Sequence, residues 1–440
     1  MTAVTTHSGQ TASLKRIAAL ALPALVVLAA EPLYLLVDTA VVGHLGRIPL
    51  ASLAIGGTLL AVTVWLGNVL AYGTTSRAAR SFGAGSRRDA VEEGVQATWL
   101  ALAAGLLLLV LAQVFAGPLT RAFAGDPEVA RGAETWLRIA SFGIPFIMLV
   151  FAGNGWMRGV QDTRRPLAFV LGANVLSAVL CPVLVYPLGL GLPGSAVANV
   201  AAQVVGGVLF LRALIAERVP LAPHPGRLRR QLVLGRDLLV RGAAFQVCFL
   251  SAAAVAARFG AAAVAAHQIG LQLWTFCALA LDAVAIAAQA LIGASLGAGD
   301  VDGAKRTATR IAWVGLVCGG AFAVVVGAAA ALPQVFSTDA SVLDQAAIVW
   351  PWFVVMLPLN GVLFALDGVL FGAGDARFLR NLTLVAALGG FLPGIWITLW
   401  LELGLGGVWA GLTLFIVIRL VGVLARLRSG SWAVPGAATT

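Results

Sequence analysis

The stretch "GNGWMRGVQDTRRP" at residues 153–166 recurs in altered form as "LDGVLFGAGDARFL" at residues 366–379. At a shift of 213 residues, the two stretches share two glycines, an aspartate and an arginine, which pair as Gly155 with Gly368, Gly159 with Gly372, Asp162 with Asp375 and Arg164 with Arg377. Four further anchors keep a shift of 213 or 214, namely "SFGAGSRRDA" (81–90) with "SLGAGDVDGA" (295–304), Trp99 with Trp313, Pro145 with Pro358, and "LGLPG" (190–194) with "LGLGG" (403–407). A nearly constant shift at separate anchors predicts an internal duplication.

The composition identifies what is duplicated. Of 440 residues, 60% are hydrophobic and 11% are charged, which is typical of integral membrane proteins and not of soluble domains. A membrane-spanning helix needs about 20 apolar residues. The sequence holds twelve such runs, near 17–42, 50–78, 91–117, 130–157, 166–187, 194–215, 235–257, 261–295, 306–332, 343–371, 379–400 and 403–425.

Each copy of the repeat therefore contains six helices. Because six is even, both copies enter the membrane in the same direction, and an axis along the membrane normal relates them. The predicted fold is an all-α integral membrane protein with twelve transmembrane helices in two parallel six-helix repeats. We predict an N-terminal lobe at 1–217, a cytoplasmic linker at 218–234 and a C-terminal lobe at 235–440.

Charge and cysteines limit the possible partners. The net charge is +10, but the basic residues are scattered between helices, which disfavours nucleic-acid binding. With both termini cytoplasmic, all but five of the 29 Lys and Arg lie on the inner side, as the positive-inside rule requires; the outer ones are Arg47, Arg121, Arg131, Arg138 and Arg258. We assign the seven arginines from Arg212 to Arg241 to the central cytoplasmic loop.

Cysteines lie only in apolar runs, which predicts neither disulfides nor a metal site.

Four carboxylates fall inside the predicted helices: Glu31 and Asp38 in helix 1, Asp282 in helix 8 and Asp367 in helix 10. A charged group at the bilayer centre costs roughly 2.5 to 3.5 kcal/mol on insertion scales, so such residues are functional candidates by default. Glu31, Tyr34 and Asp38 share one helical face. Pro32 interrupts the backbone hydrogen bonding of that face and favours a kink.

Other helices carry polar residues at similar spacing and are candidates for lining a substrate cavity: Asn174, Ser177 and Cys181 in helix 5, Asp282 and Gln289 in helix 8, and Asn360 and Asp367 in helix 10. The alternative for each carboxylate is a hydrogen-bonded structural role between helices. The apolar run around Asp282 is longer than one span needs, which allows a position near the cytoplasmic surface.

No GxxxxGK[ST] loop, HExxH motif or paired-aspartate motif is present in the sequence, which disfavours ATP-driven pumping and prenyl transfer. We predict no cofactor and no enzymatic activity. A water-accessible carboxylate can instead exchange a proton or bind sodium, so that an ion gradient supplies the energy.

Several motifs together resemble the multidrug and toxic compound extrusion (MATE) family, in the branch named for DNA-damage-inducible protein F. They are "EPLYLLVDTAVVGHLG" (31–46), "LASLAIGG" (50–57), "GNGWMRGVQDTRRP", "GLGLPGSAVAN" (189–199), "GAAAVAAHQIG" (260–270) and "SLGAGD" (295–300). The resemblance implies two six-helix lobes around a central cleft, with export of organic, often cationic or amphipathic, compounds in exchange for protons or sodium.

By the same resemblance, Asp38 corresponds to the helix 1 aspartate on which coupling depends. The family pattern in helix 5 commonly has an asparagine, then an aspartate, then a proline. Aligned on Pro182, this sequence has Ser177 and Cys181 at the first two positions. The usual second carboxylate is absent, which leaves Asn174 and Glu31 as candidate helpers of Asp38. This departure favours coupling to protons over coupling to sodium. A sodium ion bound at Asp38 is the one metal site that the sequence suggests.

The sequence thus predicts a secondary active antiporter in the inner (plasma) membrane that binds small molecules and membrane lipids and works as a monomer. One alternative is a lipid-linked precursor flippase, although that branch commonly has fourteen helices. An alternative from another class is an integral membrane enzyme, for which no reactive constellation is visible.

Overall fold

The structure is a computed structural model that describes residues 11–436, and over that range it is all-helical. Within residues 11–436, twelve helices are long and apolar enough to cross a membrane, which confirms the predicted fold class. They are α1 Leu14–Gly43, α2 Arg47–Gly83, α3 Arg87–Phe123, α4 Pro127–Gly159, α5 Arg164–Val185, α6 Gly191–Ala216, α7 Pro225–Arg258, α8 Ala261–Gly297, α9 Val301–Ala328, α10 Ala340–Gly372, α11 Ala376–Trp400 and α12 Gly404–Ser429.

Helix ends repeat at the shift seen in the sequence. The side chain of Ser86 caps α3 by accepting a hydrogen bond from the N–H of Asp89, and Asp300 caps α9 through the N–H of Gly303. Asp126 and Asp339 cap α4 and α10 in the same way. Such caps satisfy N–H groups that have no partner inside the helix.

The left-handed backbone positions between helices repeat as well. Gly46 and Gly260 have φ values of 117° and 104°, and Gly85 and Gly299 have values of 87° and 78°. Left-handed φ values favour glycine because it lacks a Cβ atom. Gln161, at φ 63°, occupies the position that Gly374 takes in the second copy. The turns thus preserve the duplication even where the residue type has changed.

The chain forms two compact units by its internal contacts. The N-terminal unit is Val26–Gly235, and the C-terminal unit is the chain up to Leu25 together with the chain from Arg236 onward. These limits differ from the lobes predicted at 1–217 and 235–440. The start of α1 groups with the C-terminal unit through hydrogen bonds such as that from the N–H of Ala12 to Thr307 Oγ1, at 3.2 Å.

Only part of the predicted linker, 218–234, lies outside a helix, because α7 begins at Pro225. The non-helical part is held against α3. Trp99 Nε1 donates to the carbonyl of Leu221 at 2.8 Å, and the N–H of His224 donates to Gln96 Oε1 at 2.7 Å. In the first turns of α7, Gln231 Nε2 donates to the carbonyl of Glu93 at 2.9 Å. The segment is therefore docked on the N-terminal unit along most of its length.

Glycines let helices pack closely at corresponding places in the two units. A Cβ atom added at Gly159 of α4 would lie 2.5 Å from the Cβ of Ala78 on α2. One added at the corresponding Gly372 of α10 would lie 2.5 Å from the carbonyl oxygen of Gln289 on α8. The GxxxG spacings in the repeated stretch therefore act in helix packing.

Adjacent glycines on α9 provide a test of this packing. A Cβ atom at Gly319 would lie 2.4 Å from the carbonyl oxygen of Leu357 on α10, whereas nothing lies within 4 Å of one at Gly320. We expect Gly319→Ala to destabilise the protein by about 1 to 3 kcal/mol through overpacking. Gly320→Ala should be neutral or stabilising by up to about 1 kcal/mol, since alanine favours helices. Melting temperatures in detergent measure both, and equal effects would contradict the packing argument.

Candidate cation-coupling site

Asp38 lies near the C-terminal end of α1, in the N-terminal unit, and its residue is 1% exposed. Helix α1 is continuous from Leu14 to Gly43, so it runs unbroken through Pro32. Around Asp38, α1 packs on α5 and α6 through an apolar cluster that includes Val185 and Ala198. The carboxylate is therefore placed in a mainly hydrophobic contact between three helices.

Two uncharged side chains donate hydrogen bonds to Asp38. The thiol of Cys181 on α5 donates to Oδ1 at 3.0 Å, and the hydroxyl of Ser195 on α6 donates to Oδ2 at 3.4 Å. Ser195 Oγ also accepts a hydrogen bond from Trp136 Nε1, at 3.0 Å. These bonds connect α1 to α4, α5 and α6 through one carboxyl group.

One turn before Asp38, Tyr34 extends the polar contacts. Asn199 Nδ2 on α6 donates to Tyr34 Oη at 2.9 Å, and both residues are buried. Beyond Asp38, Tyr186 Oη donates to the carbonyl of Val41 at 2.6 Å. The end of α1 is thus held by side chains on either side of the carboxylate.

No lysine, arginine or histidine forms an ion pair with Asp38 within residues 11–436. Burying an ionised carboxylate without a counter-ion is costly, because uncharged donors replace only part of its hydration. The site therefore favours a bound cation at the carboxylate, either a proton or a metal ion. Neutralisation of Asp38 is the chemical event that this arrangement is suited to undergo.

The predicted polar residues of helix 5 do not all reach Asp38. Cys181 does, as described, and Ser177 is 1% exposed. The hydroxyl of Ser177 and the Nδ2 of Asn174 have no hydrogen-bond partner in the described part of the chain. Asn174 is half-buried. The structure therefore brings Cys181 to the carboxylate and leaves Asn174 outside its hydrogen bonds.

Glu31 is also outside the cluster. It precedes Asp38 by seven residues, or about 10 Å along a helix, and its side chain is exposed whereas Asp38 is buried. The common helical face predicted for the two acids places them in line, but it does not bring their carboxyl groups together.

The remaining candidates lie in the C-terminal unit. Gln289 and Asn360 are each 1% exposed, and Asp282 is half-buried. Asp282 precedes the end of α8 at Gly297 by fifteen residues, or about 22 Å. It therefore lies well inside the helix, not at the cytoplasmic end that the long apolar run allowed.

Asp367 forms ion pairs that the sequence analysis did not foresee. Arg241 on α7 and Arg419 on α12 each donate through Nη2 to Asp367 Oδ2, at 2.5 and 2.6 Å. Arg241 was assigned to the central loop, but it lies within α7, sixteen residues after that helix begins at Pro225. Arg419 was counted as an inner-surface charge, but it is buried at 3% exposure.

Signals for the missed residues are present in the sequence. Arg419 interrupts the apolar run "LTLFIVIRLVGVLA" at 412–425, where a charge needs a partner. Ser195 and Asn199 fall four residues apart within "GLGLPGSAVAN", which places them on one helical face. Trp136, in the predicted apolar run 130–157, also reaches this cluster by donating to Ser195.

A metal ion here would find one carboxylate and uncharged oxygens such as the buried Oδ1 of Asn199, which has no hydrogen-bond partner in the described part of the chain. Among the described residues, no group of three or more His, Cys, Asp or Glu side chains could hold one. Asp38 provides the only carboxylate of its hydrogen-bonded cluster, and its Oδ1 already accepts a hydrogen bond from the thiol of Cys181. Hard cations prefer several oxygen ligands, whereas a proton needs only one acceptor.

The chain is similar to known proteins over nearly its whole length. The family pattern described as MatE matches residues 23–183 and 238–396, once in each copy of the repeat. Among curated proteins, DETOXIFICATION 44, chloroplastic, of Arabidopsis thaliana is 34% identical over 94% of this chain and 83% of its own length. DNA damage-inducible protein F of Escherichia coli is 31% identical over 96% of this chain and 94% of its own.

Solved structures show the same fold. A crystal structure of MATE in the bent conformation superposes with a TM-score of 0.86 at 22% identity and covers 94% of each chain. At that identity the likeness concerns the fold alone.

Proposed function

Because the chain belongs to the MatE family, which covers more than half of its length, we propose that it exports small organic molecules in exchange for protons that bind to Asp38. It is a multi-pass membrane protein of a family of multidrug and toxin efflux transporters. Beyond family membership, the proposal names the coupling ion, a proton, and the residue that binds it, Asp38.

The observation that carries the proposal is a buried carboxylate without a basic partner. Asp38 is held by the neutral donors Cys181 and Ser195, so its charge is compensated only when a cation arrives. Moving one elementary charge across 100 mV supplies about 2.3 kcal/mol. A single proton per cycle can therefore drive a useful concentration gradient of substrate.

Protonation changes the hydrogen bonding around the site. A protonated carboxyl group gains one O–H donor and loses acceptor capacity, so it cannot keep both donors of the ionised form unchanged. The O–H can donate to Ser195 Oγ, whose hydroxyl then turns away, or displace the thiol of Cys181. Either change weakens the link between α1 and its neighbours on α5 and α6.

Helix α1 is suited to respond at Pro32. The proline ring has no N–H, so it cannot donate the hydrogen bond that a helix makes to the carbonyl four residues earlier. In the proposed cycle an external proton neutralises Asp38, α1 rearranges around Pro32, and substrate is released outward. Release of the proton to the cytoplasm resets the site.

Cys181 supports a proton over sodium. It occupies the place where the family resemblance leads one to expect a carboxylate, and its S–H already donates to Asp38. A sodium ion at Asp38 would need this donor to move away and would gain a soft sulfur ligand that hard cations avoid.

We propose that the transporter works as a monomer in the inner (plasma) membrane, with both termini cytoplasmic. The distribution of Lys and Arg between the helices supports the placement of both termini in the cytoplasm. Relatives described as chloroplastic occur in Arabidopsis thaliana, so the family serves more than one membrane.

The first test replaces the carboxylate. Asp38→Asn should reduce the accumulation of organic dyes in vesicles with an acidic lumen by at least about tenfold, because the amide cannot take up and release a proton. The control is Asp302→Asn, at an exposed aspartate in the first turn of α9, which should transport like the wild type. Dye transport at the wild-type rate by folded Asp38→Asn protein would sink the proposal.

The second test concerns the ion. Cys181→Asp places a second carboxylate beside Asp38, and two carboxylates at that distance cannot both ionise without a bound cation. We expect sodium to stimulate dye transport by this variant and to have little effect on the wild type, measured in vesicles given a pH gradient or a sodium gradient. Sodium-driven transport by the wild type, with no response to pH, would contradict proton coupling.

A further inference from the structure

The C-terminal unit contains a buried cluster with an excess of positive charge. Arg241 of α7 and Arg419 of α12 both donate to one carboxylate, that of Asp367 on α10. The side chains of Arg241, Asp367 and Arg419 are 16%, 9% and 4% exposed. With two cations and one anion, the cluster carries a net charge of +1.

The hydrogen bonding of this cluster is incomplete. Both arginines use Nη2, and both donate to the same oxygen, Asp367 Oδ2. The second oxygen, Oδ1, and the Nε atoms of both arginines are buried and have no hydrogen-bond partner within residues 11–436. A structural Arg–carboxylate pair commonly uses two parallel N–H···O bonds. Here two guanidinium groups retain buried donors.

Aromatic rings hold the two guanidinium groups in place. The centre of the Phe245 ring lies 5.1 Å from the Cζ of Arg241 and 4.6 Å from that of Arg419. Phe371 contacts Arg241 at 5.0 Å, and Phe415 contacts Arg419 at 5.6 Å. Such cation–π contacts position a guanidinium group without neutralising its charge. They also supply apolar surface next to the donors.

The six-helix fold does not require the cluster. At the shift of 213, Asn154 corresponds to Asp367 and Gly206 corresponds to Arg419, so the N-terminal copy folds without these charges. Elsewhere in the C-terminal unit, Arg426 pairs with Asp375 at 2.7 Å. Asp237 has two arginine partners, Arg380 at 2.6 Å and Arg236 at 3.1 Å, but the Arg236 side chain is 61% exposed to solvent. The Asp367 cluster differs because neither of its arginines is exposed in this way, so water does not compensate its excess charge.

We propose that Arg241 and Arg419 bind a carboxylate group of the transported molecule, so that organic acids are a substrate class of this protein. This inference rests on the proposed export function and names what is exported. One carboxylate balances the charge of +1, its two oxygens fit the planar N–H donors of guanidinium groups, and the phenylalanines accommodate an apolar body next to it. Asp367 orients the arginines and competes with the ligand for them.

Binding of benzoate to purified protein in detergent tests the inference, with uncharged benzamide as the matched ligand and titration calorimetry as the measurement. The wild type should bind benzoate and not benzamide. Arg419→Gln should weaken benzoate binding at least tenfold. Asp367→Asn should strengthen it severalfold, because it removes the competing carboxylate. The control, Arg426→Gln, changes an arginine that is paired one to one and should leave benzoate binding unchanged.

Removal of Asp367 frees both arginines whether or not they bind substrate, so the Asp367→Asn result counts only together with benzoate binding by the wild type. Weaker or unchanged benzoate binding by this variant would contradict the proposed competition. The Asp367→Asn variant also keeps the test decisive if Arg419→Gln fails to fold, as judged by circular dichroism and gel filtration. Failure of the wild type to bind benzoate, or equal binding of benzoate and benzamide, would overturn the inference. The assay uses no ion gradient, so its outcome is independent of the transport test at Asp38.

Discussion

The energy of a charge buried among apolar helices is the constraint on which the rest of this structure depends. An ionised side chain in such a place must find a partner, neutralise or be absent. The protein uses two of these solutions. Asp367 is paired with Arg241 and Arg419, whereas Asp38 has only uncharged donors. A carboxylate with permanent counter-ions stays charged, and one without them is available to bind a cation.

The internal duplication makes this difference informative. Caps and left-handed turns recur at a shift of 213 or 214, as at Ser86 with Asp300 and Gly46 with Gly260. The two buried carboxylates do not recur: Ala252 corresponds to Asp38 at the shift of 214 that relates Gly46 to Gly260, and Asn154 corresponds to Asp367 at the shift of 213. What the copies share is therefore needed for folding, and what distinguishes them is where function has been added. The N-terminal unit carries the candidate coupling carboxylate, and the C-terminal unit carries the candidate site for an anionic substrate group.

Much of the fold could be predicted from the sequence, since apolar runs and repeated turns are local patterns. The site was only partly predictable. Asp38 and Cys181 were identified together, but Ser195 and Arg419 were not, because their roles depend on which helices pack against each other. Glu31 and Asn174 do not join the hydrogen bonds of Asp38 for the same reason. Spacing along a helix predicts which face a side chain occupies, but it does not predict which residues of other helices lie next to that face. Arg241 was counted with the central loop although it falls in the apolar run 235–257, and its pairing with Asp367 depends on helix packing that composition does not reveal.

The central claim is that a proton neutralises Asp38 during transport. Infrared difference spectroscopy of the reconstituted protein in sodium-free buffer measures this most directly, because acidification produces the C=O stretching band of a protonated carboxyl group. We predict a band in the wild type that is missing from Asp38→Asn and that sodium does not remove. An identical band in both proteins, or one that sodium abolishes in the wild type, would contradict the account.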